Sequence, residues 1–203
     1  MNLRLDVIGL KLRPNTCITL GDSMTAQGTA NTNAPPDVNW RLSSRGYFNY
    51  ANQLLGKRFK LIRNAGVGGD TPAMMLLRVD ADVIEYNPGH CFILGFINNV
   101  TGTVNTQASE DSIYATTIAD LGSIYARLSG AGIFIHALTQ LGDSNISNPV
   151  NNAQANIILR VNKWINDYFI GSTAGMCHDA FSVTVDPTSA IVAAKANFLQ
   201  ADG

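Results

Sequence analysis

The chain has 203 residues, 46% of them hydrophobic and only 14% charged, with a formal net charge of -1 at pH 7. That length suits one domain with a sizeable core and is short for two, and the composition excludes intrinsic disorder. The near-neutral balance also excludes electrostatic steering toward nucleic acid or an anionic membrane as the basis of function, so the expected partner is neutral or weakly charged.

Residues 1–14 hold no long apolar run and no small-residue cleavage site, so no secretory signal is read in them. They are taken as a lead-in or linker ahead of a single domain over 15–203. No run reaches the ~18 apolar residues that a membrane span requires. The expected location is therefore the cytoplasm, or export as part of a larger assembly.

The first apolar run, "CITL" (17–20), reads as a strand and ends in Gly-Asp-Ser, with Ser23 at the turn. A polar stretch with Trp40 follows over 26–44, then a helix over 45–56 and a second strand, "FKLIRN" (59–64). The Gly-rich turn "NAGVGGDT" (64–71) leads into a helix over 71–86, whose Asp80, Asp82 and Glu85 read as a solvated face. A third strand, "CFILG" (91–95), is closed by "GFINNV", and an irregular stretch is expected over 97–108.

The helix over 109–129 carries Ile113, Ile118, Leu121, Ile124, Tyr125 and Leu128 at helical spacing, a packing stripe. A fourth strand, "GIFIHAL" (132–138), a polar stretch (139–149) and a helix over 150–170 follow. That helix starts after Pro149 and has Trp164 as a core anchor. A fifth strand, "AGMCHDAF" (174–181), and a helix over 187–198 complete the pattern. Short apolar runs alternating with helices predict a parallel sheet with crossover helices on both faces. Cys17, Cys91 and Cys177 lie within apolar runs without metal or disulfide spacing and read as core residues.

In an open parallel sheet the ligand site lies at the C-terminal ends of the strands. Three successive strands deliver Ser23, Gly69 and Asn98 there. Ser23 has two readings, an N-cap for the next helix or a nucleophile. Acyl transfer needs donors aimed at the developing oxyanion, which backbone N–H groups and an Asn carboxamide supply. Gly69 permits close backbone approach. "GVGG" also has the look of a dinucleotide loop, but Thr71 stands where the third glycine is required.

"GDSMT" resembles the first block of the SGNH, or GDSL-like, hydrolases. "RNAGVGGDTPAMMLLRVDADVIEYNP" is similar to the second block and the helix behind it, "ILGFINNV" to the third, and "FLQADG" to the opening of the last. The third block departs from the usual pattern at Phe96, where a small residue is common, and at Asn99, often Asp. The resemblance implies a flavodoxin-like three-layer α/β/α sandwich with a five-stranded parallel sheet of order 2-1-3-4-5. It further implies Ser23 as nucleophile, Gly69 and Asn98 as oxyanion-hole donors beside the Ser23 backbone N–H, and Asp202 as the acid that orients a histidine. The implied substrates are small-molecule or carbohydrate esters, O-acetyl groups foremost, with no metal or organic cofactor.

The family's histidine falls three places after that aspartate, which here is position 205, and the sequence runs to Gly203. His90 opens the third strand at the edge away from Ser23, and His136 lies inside the fourth strand, either as a hydrogen-bonded core residue or near the helix layer. His178 is near the end of the fifth strand, roughly 14 Å from the first at ~4.8 Å per strand. None is expected within the ~3 Å reach of a general base. The sequence thus leaves three readings: an esterase whose histidine lies further on, a ligand-binding module with a degenerate site, or one domain of a larger surface or virion protein.

Overall fold

A computed structural model describes residues 14–26, 47–100, 106–140 and 152–180. Asp202, Trp40 and the helix expected over 187–198 lie outside the described residues, as do nearly all of the 1–14 lead-in and most of the polar stretches 26–44 and 139–149.

Five parallel strands form one sheet: β1 (Thr16–Gly21), β2 (Lys60–Gly66), β3 (His90–Leu94), β4 (Phe134–Leu138) and β5 (Gly175–His178). Their order is β2-β1-β3-β4-β5, as the resemblance implied. The helices are α1 (Ser23–Ala26), α2 (Tyr47–Leu54), α3 (Pro72–Asp82), α4 (Ile97–Val100), α5 (Gln107–Gly130) and α6 (Asn152–Tyr168), with a 3-10 turn at Ile84–Tyr86. Because β1 lies between β2 and β3, the ends of these three strands meet at one place, where the order reverses.

Strand alternation sorts the side chains by face. One face presents Ile18, Leu20, Ala65, Cys91, Ile93, Ile135 and Ala137, which join Met75 and Val79 of α3, Leu121, Ile124, Tyr125 and Leu128 of α5, and Ile157, Ile158, Val161 and Ile165 of α6 in the main core. Trp164 is partly buried and stacks on Tyr125, as expected of a core anchor. The other face presents Thr19, His90, Phe92, Phe134 and His136. There α2 lays Phe48 edge-on against Phe92, with ring centres 4.9 Å apart.

The expected elements recur with shifted ends, each for a local reason. The helix expected from 109 begins at Gln107 because Thr106 and Ser109 form a reciprocal capping box. The helix expected through 86 stops at Asp82, and the chain passes through the 3-10 turn to a left-handed Asn87 (φ 48°) before Pro88. Within the stretch expected to be irregular, Ile97–Val100 forms one helical turn, its Ile97 and Val100 buried. The acidic face is also corrected. Asp82 is only 16% exposed and is engaged by two arginines, Arg63 at 2.6 Å and Arg78 at 2.6 Å, while Asp80 pairs at the surface with Arg127.

Candidate active site

The site is assembled at the ends of β1, β2 and β3. β1 closes so tightly on its neighbours that a Cβ on Gly21 would stand 2.0 Å from the Leu94 carbonyl oxygen. Glycine is required there for the chain to turn into α1. Asp22 then caps that turn, its Oδ1 accepting from the Met24 backbone N–H at 2.9 Å. Of the two readings of Ser23, the cap is therefore discarded: its neighbour performs that duty. Ser23 is exposed at the first position of α1, and among the described residues no hydrogen bond engages its hydroxyl. Thr25 fastens the turn to β3 by donating to the Leu94 carbonyl at 3.2 Å, and Asn64 fastens it to β2 by donating to the Thr25 carbonyl at 2.9 Å.

The Gly-rich turn after β2 lies beside Ser23. A Cβ built on Gly68 would be 3.9 Å from Ser23 Cβ. Val67 N–H donates to the Gly21 carbonyl at 3.0 Å, and Asp70 N–H donates back to the Val67 carbonyl at 3.2 Å, closing the loop. Between them Gly69 adopts φ 85°, a conformation costly for any residue with a Cβ, and it is exposed.

Asn98, in α4 beyond β3, donates from Nδ2 to the Asp70 carbonyl at 2.8 Å, which ties the third strand's turn to the second's. Ser23, Gly69 and Asn98 are thus brought to one edge, as the sequence led us to expect. The two unusual residues of the third turn face elsewhere. Phe96 is 1% exposed and belongs to the main core, and Asn99 donates to Thr117 Oγ1 of α5 at 2.8 Å.

The histidines are elsewhere as well. His90 is the first residue of β3, at the opposite end of the strand from this site. His136 lies within β4 between the other two, its Nε2 3.1 Å from His90 Nδ1 and its Nδ1 2.9 Å from His178 Nε2. Burial pushes the His136 imidazole down to about 3, with His178 and His90 adding to the shift, and burial lowers His178 too. Burial thus disfavours the charged form of both rings, and neither is hydrogen-bonded to Ser23.

Sequence reasoning missed two features of the site. One is Asp22, fully buried, whose Oδ2 has no hydrogen-bond partner among the described residues; burial raises its carboxyl to about 6, and the Asp70 carboxylate adds to the rise. An Asp directly before a helical turn was the available signal. The other is Arg78, which reaches from α3 to Asp70 Oδ2 at 2.6 Å and the Gly21 carbonyl at 3.1 Å. No local spacing encodes a contact across 57 residues.

Residues 19–178 match the model of the GDSL-like lipase/acylhydrolase family. By structure the chain is similar to a catalytic mutant of an acetylxylan esterase from Geobacillus stearothermophilus, at 20% identity and a TM-score of 0.63, covering 90% of this chain and 87% of that one. It is also similar to a GDSL-like lipase from Bacteroides thetaiotaomicron, at 17% identity and a TM-score of 0.57, covering 90% and 80%. At these identities the likeness is one of fold. No curated protein is matched by sequence. Among the described residues no helix is long and apolar enough to cross a membrane.

Proposed function

Since the chain belongs to the GDSL-like lipase/acylhydrolase family, we propose that it cleaves carboxylic esters through an acyl-enzyme on Ser23, with O-acetyl groups on carbohydrate as the preferred substrates. The observation that carries this reading is the release of Ser23 from capping by Asp22, which leaves an exposed hydroxyl beside the Gly68–Gly69 turn. Ser23 Oγ attacks the acyl carbonyl carbon while its proton passes to an imidazole oriented by Asp202. The carbonyl oxygen becomes an oxyanion and takes hydrogen bonds from the Ser23 and Gly69 backbone N–H groups and from Asn98 Nδ2. The imidazolium returns the proton to the departing alcohol, and water then releases the acid by the same steps. The likeness to an acetylxylan esterase supports the acetyl preference, as does the weak net charge.

The scheme takes its imidazole from the position three places after Asp202, as the family resemblance implies, because His90, His136 and His178 hydrogen-bond to one another. Hydrolysis of p-nitrophenyl acetate and of acetylated xylo-oligosaccharide tests the scheme, using the 203-residue chain, a form extended through the natural downstream codons, and Ser23→Ala of each. The expected result is turnover by the extended form that drops about 10³-fold or more in its Ser23→Ala variant. The same row of engaged histidines favours a second reading, a binding module. Absence of turnover in every form, with xylo-oligosaccharide affinity unchanged by Ser23→Ala, would replace the esterase by that module.

A further inference from the structure

The residues proposed to hold the oxyanion share an anchor outside the site. Arg78, on α3, is 19% exposed and uses three different nitrogens. Its Nε donates to Asp70 Oδ2 at 2.6 Å, its Nη1 to Asp82 Oδ2 at 2.6 Å, and its Nη2 to the Gly21 carbonyl at 3.1 Å. Gly21 lies two residues before Ser23. Asp70 directly follows Gly69, and its carbonyl accepts the Asn98 carboxamide.

We propose that Arg78 is a positioning residue for this site, fixing the Gly21, Gly69–Asp70 and Asn98 segments against one another through a single guanidinium. The inference rests on the esterase reading for its kinetic consequence, but the positioning itself is observable without turnover.

The physical case begins with the loop. Val67, Gly68 and Gly69 are all exposed, and among the described residues a Cβ on Gly69 would meet nothing within 4 Å, so packing against these residues does not hold the turn. Its placement depends on its two ends. At one end the Gly21 carbonyl accepts both Val67 N–H and Arg78 Nη2, one for each lone pair. At the other end the Asp70 carboxylate, 10% exposed, is gripped by Arg78 Nε. A charge-assisted bond at this burial is screened far less than a surface pair. The guanidinium is planar and its donors diverge at fixed angles, so it sets the separation of Gly21 and Asp70 as well as attracting them. Asn98 then takes its carboxamide plane from the Asp70 carbonyl.

Arg78 also joins a strap between β2 and α3, because Asp82 Oδ1 accepts from Arg63 Nη2 at 2.6 Å and Arg63 reaches the Tyr86 hydroxyl. A purely structural role would belong to that strap. Arg63 touches Asp82 but neither Asp70 nor Gly21 in these bonds, so Arg63→Gln weakens the strap and spares the site.

The test uses the catalytically competent natural chain, with Arg78→Lys, Arg78→Met, Asp70→Asn and Arg63→Gln. Steady-state hydrolysis of p-nitrophenyl acetate is read beside thermal unfolding and the ¹⁵N–¹H signals of Gly69 and of the Asn98 carboxamide. Arg78→Lys keeps a charge but loses the fork, and a misplacement of about 1 Å costs ~10²-fold in rate. The expected result is a fall in kcat of about 10- to 100-fold in both Arg78 variants, with KM changed less than about threefold and the Gly69 and Asn98 signals displaced. Arg63→Gln should lower the unfolding temperature while its kcat stays within about twofold and those two signals stay put. Should Arg78→Met fail to fold, Arg78→Lys and Asp70→Asn decide. Wild-type kcat in the Arg78 variants, an equal fall in Arg63→Gln, or unmoved Gly69 and Asn98 signals would overturn the proposal. If the wild type itself lacks Ser23-dependent turnover, the esterase reading falls, and the signals alone still decide the positioning.

Discussion

At the scale of the residue, the informative contrast is between the neighbours Asp22 and Ser23. Asp22 is fully buried with one oxygen capping α1 and the other without a partner among the described residues, and its carboxyl is raised from 3.8 to about 6 by burial and by the Asp70 carboxylate. A raised carboxyl means that the folded protein holds this proton more tightly than the unfolded chain. Its contribution is fully present below the unfolded value near 3.8 and is lost as pH rises through about 6. Above that pH a buried charge is carried at a cost on the order of 3 kcal/mol, at ~1.4 kcal/mol per pH unit. Asp22→Asn keeps an oxygen for the Met24 cap and removes the charge. Thermal unfolding should therefore show the variant more stable than wild type at pH 8, with the gain vanishing near pH 4. A variant less stable at pH 8 would mean that the ionised carboxylate is held by a donor. Ser23, exposed and outside the cap, should by contrast cost less than ~0.5 kcal/mol of stability when replaced by alanine.

At the scale of the element, the tight junction of β1 with β3 is the feature on which the site depends. An alanine at Gly21 would drive its Cβ to 2.0 Å from the Leu94 carbonyl oxygen and 2.2 Å from Thr25 Oγ1. The first is backbone of the paired strand and cannot rotate away. Gly21→Ala is expected to destabilise by at least ~2 kcal/mol, as overpacking typically does, and to lower the denaturant midpoint; an unchanged midpoint would show that the two strand ends can part freely. This junction was legible in the sequence only through its glycine. The strands themselves were legible because "CITL", "CFILG" and "GIFIHAL" are apolar beyond what one buried face requires. Ser23, Gly69 and Asn98 were legible because each sits just past a strand in a parallel sheet. Arg78 and the burial of Asp82 were not, because an acidic and basic helix surface has the same pattern whether it meets water or the side of a second turn. The cap on Asp22 was missed because α1 is only four residues long and leaves no periodicity to read.

At the scale of the whole molecule, the face of the sheet opposite the main core carries a polar row. Strand alternation puts His90, His136 and His178 on that face, each two residues further along its strand than the register partner of the one before, so their rings meet diagonally across β3, β4 and β5. His136 lies flat on Phe92, with ring centres 4.1 Å apart and planes 7° from parallel, and Phe59 and Phe134 meet it edge-on. Each internal bond of the row uses one N–H and one bare nitrogen, so the row is satisfied with neutral rings that all carry their protons on the same side. A further proton on His136, whose two nitrogens are both engaged, would turn an acceptor into a donor facing a donor. His136 is accordingly lowered from 6.5 to about 3, so its contribution is present above 6.5 and is lost as pH falls from there toward 3. One proton taken up on unfolding gives a slope of ~1.4 kcal/mol per pH unit over that window. Asp22 has the opposite sign between about 6 and 3.8, so the two titrations partly cancel in the wild type. Two consequences can be measured by urea unfolding at pH 8, 6 and 5. Asp22→Asn should steepen the loss of stability between pH 6 and 5. His136→Phe keeps the stack on Phe92, gives up two hydrogen bonds at a cost of ~1–3 kcal/mol at pH 8, and should flatten the acid slope by about one proton. An acid slope unchanged by His136→Phe would mean that His136 itself accepts a proton near pH 6.5 in the folded protein.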